Sequence, residues 1–213
     1  LQLHETTIAL ETVDVAEGLV PNSVVEELPQ VYADHYVRQE KYEQAIDYLY
    51  EAVSYSPQRQ LHTRMLFILG QIFQMNDDLN RATENYQAVV RRNPDYEMAF
   101  NAKIRMAESY DASTGDSKQL MKYLTRMLKD DKNKDFLDQV YYALADVAEK
   151  DGDTEMMMEY LKLSVMNSTK NNYQKSTSSL KLADIYFEIP EYELSQAYYD
   201  TAMMSLPKDY PNY

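Results

Sequence analysis

A small residue, usually followed by an acid and then, two positions on, by an aromatic residue or alanine, recurs five times in this chain. The copies are Ala33-Asp34-His35-Tyr36, Gly70-Gln71-Ile72-Phe73, Ala107-Glu108-Ser109-Tyr110, Ala145-Asp146-Val147-Ala148 and Ala183-Asp184-Ile185-Tyr186, starting 37, 37, 38 and 38 residues apart. Each is preceded by a large residue: Tyr32, Leu69, Met106, Leu144 or Leu182. A fixed period of this length restricts the fold more than any other property of the chain. A unit this short cannot bury its own apolar face, so it must stack on its neighbours into a continuous core.

A second pattern follows each copy by about twelve residues, roughly three turns of helix. It reads Ala45, Leu49, Ala52, Pro57; then Ala82, Tyr86, Val89, Pro94; then Ser195, Tyr199, Ala202, Pro207. Spacings of four and three put the first three members on one helical stripe, and the proline stops the helix. Between these clear copies the second helix uses Leu120, Leu124 and Met127, then Met157, Leu161 and Ser164. Paired helices with alternating large and small residues resemble the tetratricopeptide repeat, whose usual period is about 34 residues. The resemblance implies an all-α fold, a right-handed α-solenoid of tetratricopeptide-like helix pairs. The expected units are 22–58, 59–95, 96–132, 133–170 and 171–213. Residues 1–21 are expected to form the second helix of a truncated repeat, because Ala9, Val13, Ala16 and Pro21 repeat the second-helix pattern. No closing helix with a polar outer face follows Pro207, so apolar ends and self-association through them are expected.

Charge narrows the partner. Lysine and arginine number 21 against 35 acidic residues, a formal charge of −14. Nucleic acid is thereby excluded as the main partner, since binding phosphates needs a basic footprint. The longest strongly apolar run, Met65 to Leu69, is far short of the roughly 20 residues of a membrane span. Without cysteine there is no disulfide, thiolate metal site or cysteine nucleophile. His4, His35 and His62 lack metal-ligand spacing, and no HExxH, GxSxG or P-loop pattern occurs. The doublets Asp77-Asp78 and Asp130-Asp131 fall where helices end and read as solvated turns. Asp111 to Asp116 lacks the alternating ligands and terminal glutamate of a calcium loop. No cofactor and no enzymatic activity are expected.

The repeat resemblance also implies where a partner would sit, because in this family the first helix of each pair lines the concave surface. Asp34, Gln71, Glu108, Asp146 and Asp184 occupy one position there, and Gln30, Phe67, Ile104, Tyr142 and Leu180 stand one turn earlier on the same face. The expected groove is a mixed acidic and apolar track that takes a protein or peptide, as an extended segment with basic residues. Family members that hold a chaperone's C-terminal carboxylate use Lys and Asn where this chain has Gln30 and Asp34, so that ligand is disfavoured.

A closer resemblance rests on four stretches: Thr63-Arg64 with Phe67 to Gln71, Tyr96 to Ile104, Asp138 to Leu144, and Ala197 to Asp200. They are similar to the SprE/PorW lipoproteins of Bacteroidetes. That resemblance implies a section of a larger periplasmic, outer-membrane-associated scaffold tied to type IX secretion and gliding motility. The lipidated cysteine of that family is absent from this sequence. The rival readings are a cytosolic adaptor or co-chaperone, or the docking arm of an enzyme whose catalytic domain lies elsewhere.

Overall fold

A computed structural model describes residues 27–55, 58–113 and 117–206. Its helices are α1 (Leu28–Arg38), α2 (Tyr42–Tyr55), α3 (Arg59–Met75), α4 (Leu79–Arg91), α5 (Tyr96–Glu108), α6 (Ser117–Met127), α7 (Leu137–Lys150), α8 (Thr154–Asn167), α9 (Asn172–Glu188) and α10 (Tyr192–Ser205). A 3₁₀ helix, Asp131–Phe136, precedes α7 and has no counterpart in the repeat pattern. Among the described residues there is no strand. The fold class is the expected one, all-α and made of tetratricopeptide-like helix pairs. The lone helix expected over 1–21, the end of the chain from Pro207 and part of the Asp111–Asp116 loop lie outside the described residues.

Three-residue links close the pairs α1/α2, α3/α4 and α7/α8 with the same device. The middle residue, Glu40, Asp77 or Gly152, adopts the left-handed region at φ 59, 58 or 78. The next amide then reaches back five residues: Lys41 N–H to the Tyr36 carbonyl at 3.0 Å, Asp78 to Phe73 at 2.9 Å and Asp153 to Ala148 at 2.9 Å. This reversal satisfies carbonyls that the helix end leaves open. The same links start the next helix, since the Asp78 and Asp153 carboxylates accept from the amides of Arg81 and Met156. The doublet Asp77-Asp78 is thus a stop and a start in adjacent positions.

The chain divides into two compact units, residues 1–102 and 103–213, with the division inside α5. In the first, α1 packs on α2, α2 on α3 and α3 on α4. Its interior holds Ala33, Ala45, Leu49, Ala52, Leu69, Phe73, Ala82 and Tyr86, all at most 3% exposed. Small residues on one helix seat large ones from the next, as at Gly70 and Tyr86. In the second unit α6 packs on α7, α7 on α8, α8 on α9 and α9 on α10. Ala145, Ala148, Met157, Leu161, Leu182 and Tyr186 form its core.

A polar knot lies beside that core. Asp138, in the first turn of α7, is 2% exposed. Its Oδ2 accepts from the Ser168 hydroxyl at 3.2 Å, and its carbonyl accepts from Ser164 Oγ at 2.8 Å. Ser164 in turn meets Ser178 Oγ at 2.8 Å, tying α7, α8 and α9 together. Burial pushes the Asp138 carboxyl above its ordinary value of 3.8, against the pull of hydrogen bonds from Gln139, Ser168 and Asn171. A raised carboxyl pKa means that the folded chain holds this proton more tightly than the unfolded chain. Stability from this group therefore falls as pH rises from 3.8 through the folded value, and is level above it. Asp138→Asn should remove that fall. Urea unfolding of parent and variant at mildly acidic and neutral pH checks it: the difference between them should change with pH in favour of the variant as pH rises.

Candidate functional site

In the first unit, α1 and α3, the first helices of their pairs, enclose a concavity of about 470 Å³. Gln30, Val31 and Asp34 line it from α1, and Arg64, Met65 and Ile68 from α3. The helical period explains the lining. Gln30 and Asp34 are one turn apart on α1, and Arg64 and Ile68 are one turn apart on α3. The walls are thus largely aliphatic, with two carboxylates, Glu27 and Asp34, and one guanidinium, Arg64, among them. Asp34 pairs with Arg38 at 2.7 Å, but both side chains are more than 60% exposed. An ion pair so wet contributes little and exchanges easily for another cation.

Leu61 and Arg64 also line a second cavity, of about 600 Å³, so the two adjoin along α3. This one lies where the start of α3 meets the link between α4 and α5, and its charged lining residues are Arg59, Arg64, Arg92 and Asp95. The Arg59 guanidinium donates to the Arg92 carbonyl. The Arg92 guanidinium stands 2.8 Å from His62 Nε2. A guanidinium can only donate, so Nε2 accepts and the imidazole is neutral. Burial and the Arg92 charge both lower the His62 pKa, which keeps it so.

The acidic row in the second unit is differently placed. Asp146 lies 2.8 Å from Lys150 Nζ and 3.8 Å from Lys181 Nζ. Lys181 also bonds Glu149 and stands 5.6 Å above the Tyr142 ring. Burial alone would lower the Lys181 pKa, but Glu149, Tyr142 and Asp146 outweigh it and push it up. Burial raises the Tyr142 hydroxyl. Lys150 further donates to the carbonyls of Ala107 and Glu108, at the end of α5, the second at 2.6 Å. Glu108 itself pairs with Arg105 at 2.9 Å. Asp184 accepts from Tyr199 Oη at 2.6 Å. These acids hold the chain's own donors, and Asp146 holds two lysines.

Of the expected groove residues, Tyr142 and Asp146 are brought together, through Lys181. Asp34 lines the α1/α3 concavity, whereas Phe67 and Gln71 do not. Phe67 turns its ring edge-on to Tyr86, with centroids 5.5 Å apart, and serves packing. Gln71 and Ile104 are half-buried and Leu180 is 42% exposed. The residues that sequence reasoning missed are cations: Arg59, Arg64, Arg92, Lys150 and Lys181. Lys181 sits one position after Leu180, and Arg92 completes an Arg-Arg pair at the end of α4. A search for cations beside the acidic row would have found Lys181. Among the described residues no group of three or more His, Asp or Glu is placed to hold a metal ion. No helix among them is long and apolar enough to cross a membrane.

Comparison with known proteins supports the fold. The tetratricopeptide repeat model matches residues 31–59 and 138–175, so the chain carries repeats of this type in both units. No curated protein matches. Among solved structures, residues 41 to the end of MamA from Desulfovibrio magneticus RS-1 align at TM-score 0.61 and 16% identity, covering 84% of this chain and 94% of that one. The apo form of the quorum sensor NprR from B. thuringiensis aligns at TM-score 0.68 and 12% identity over 98% of this chain, which spans 61% of NprR. BtubC from P. vanneervenii aligns at TM-score 0.60 and 14% identity, covering all of this chain and 95% of that one. At these identities the likeness is one of fold.

Proposed function

We propose that the chain is a non-enzymatic protein-interaction module that receives an extended segment of a partner along the first helices of the residue 1–102 unit. The observation that carries this is the concavity between α1 and α3, with largely aliphatic walls, two carboxylates and one guanidinium. Its volume is in the range of a ligand site, and its lining gives apolar seats for side chains with polar groups to orient them. A basic residue of the segment would sit at Asp34, exchanging with the exposed Arg38. Asp146 is the acid least able to serve in this way, because displacing two lysines costs more.

The test is a displayed library of random peptides about 12 residues long, which reach about 40 Å when extended, selected on the intact chain. Placing charge on the walls with Val31→Glu and Ile68→Glu should weaken the selected peptides by about tenfold or more, because seats for apolar groups would be charged. Those with a basic residue should also weaken with Asp34→Lys, most at low salt. Peptides that bind the Val31/Ile68 variant as well as the parent would move the site off this face.

Placement at the outer membrane, with a role in secretion or gliding, rests on the resemblance of the four stretches to SprE/PorW lipoproteins. A native reading frame with a signal sequence and a lipidation cysteine is the expected result. A frame with neither supports a cytosolic adaptor, and one with a catalytic domain supports the docking arm of an enzyme.

A further inference from the structure

Residues 27–102 contain seven lysines and arginines against eleven acids. Three of the seven, Arg59, Arg64 and Arg92, line the one cavity at the start of α3. Of the other arginines in this unit, Arg38 pairs with Asp34 and Arg81 with Asp78. The three at the cavity make no ion pair among the described residues. Asp95 is the one acid in the lining, and its Oδ1 accepts the Met98 amide at 2.9 Å, which commits it to starting α5. The two guanidiniums with hydrogen bonds are held by neutral acceptors, the Arg92 carbonyl and His62 Nε2. Such contacts fix direction and leave the positive charge uncompensated. Three cations around about 600 Å³ of open space make a local positive patch in a chain of net charge −14, and such a patch attracts an anion.

We infer that this cavity is an acidic side-chain subsite, which takes an aspartate or glutamate of the extended segment whose neighbouring residues lie in the α1/α3 concavity. The inference rests on the proposed peptide-binding function and adds to it the chemistry of one position. The two cavities share Leu61 and Arg64, so one segment running along α3 can enter both. A guanidinium pairs with a carboxylate through two parallel N–H···O bonds, which fixes orientation as well as charge. The overall negative charge limits the partner further. A run of acids would be repelled by the rest of the surface over the ~8–10 Å screening length of ordinary salt. A segment with one or two acids, and a basic residue further along for Asp34, avoids that repulsion and meets both local charges.

The experiment uses the intact chain and the peptides selected from the random library. Each acid in a selected peptide is replaced by its amide, and each version is titrated against the parent chain and against an Arg59→Gln, Arg92→Gln variant. The expected result is a shared Asp or Glu position at which the amide weakens binding by about tenfold or more, the range for losing a hydrogen bond to a charged group. The arginine variant should weaken the acidic peptide to the same level and leave the amide version unchanged. If that variant is unfolded by circular dichroism, Arg59→Gln alone, at an exposed position, replaces it with the same expectation. Peptides sensitive to Val31→Glu but indifferent to the amide change, or to the arginine change, would overturn the subsite and leave the peptide-binding function standing. If no peptide is selected at all, both fall together.

Discussion

Leu182→Ala should destabilise the residue 103–213 unit by about 2–5 kcal/mol, the range for truncating a fully buried leucine. Leu182 has no exposed surface and packs among Ala145, Ala148, Leu161 and Tyr186. Two of these neighbours are alanines on helical backbone, which cannot reach into the space that a truncated side chain leaves. The upper half of the range is therefore expected. The informative control stands two positions earlier on the same helix. Leu180 is 42% exposed, and Leu180→Ala should change stability by no more than about 0.5 kcal/mol. Urea unfolding followed by circular dichroism reads both, with the transition of each unit fitted separately if two appear. Equal losses would mean that α9 is rotated from the face assigned to it, and that Leu180 belongs to the core.

The same pair shows what the sequence discloses and what it hides. Leu182-Ala183 announces a buried face because the large-small step repeats at Leu69-Gly70, Met106-Ala107 and Leu144-Ala145, and five copies fix the phase of every first helix. The helix pairs were legible for that reason: packing imposes a period, and a period survives in one sequence. The acid doublets were legible as turns, although Asp77-Asp78 was not legible as a reversal at one residue and a cap at the next. Charge pairing between helices leaves no such trace. The i,i+4 spacing of Asp146 and Lys150 reads as one turn of helix, but nothing in it says that Lys181 reaches Asp146 from another helix. Nothing near Asp138 marks it as buried, since its partners Ser164 and Ser168 are a helix away and serine is common on surfaces. The arginine cavity was hidden for a third reason. Arg59 and Arg64 open one helix while Arg92 lies just past the end of the next, some thirty residues on, and the repeat pattern assigns none of them a role. A motif that repeats reports on the scaffold; a site assembled once, from positions between the repeats, does not.

Gly70→Val should cost the residue 1–102 unit stability at or above the upper end of the ~1–3 kcal/mol typical of overpacking. A Cβ at Gly70 would lie 2.7 Å from Tyr86 Cε1 and 2.9 Å from both Cδ1 and Cζ, closer than carbon atoms pack. The ring has little room to yield. Tyr86 is fully buried, its hydroxyl donates to Gln74 Oε1 at 2.9 Å, and Phe67 stands edge-on against it. Better helix propensity returns only a fraction of a kcal/mol for the exchange of glycine for a β-branched residue. The clash can be isolated by a cycle with Tyr86→Leu. That change alone loses the hydroxyl bond and much of the ring's burial, but it clears the space facing Gly70. In its presence Gly70→Val should cost much less than in the parent, a coupling well beyond the few tenths of a kcal/mol seen between independent sites. Independent costs in the two backgrounds would mean that α3 and α4 do not meet at this point. Arg59 and Arg64 lie on the first two turns of α3, away from the contact, so a folded Gly70→Ala chain should retain the peptide affinity of the parent. Lost affinity in that folded variant would show that the cavity geometry depends on this crossing, and that the small residue of the repeat serves the site as well as the core.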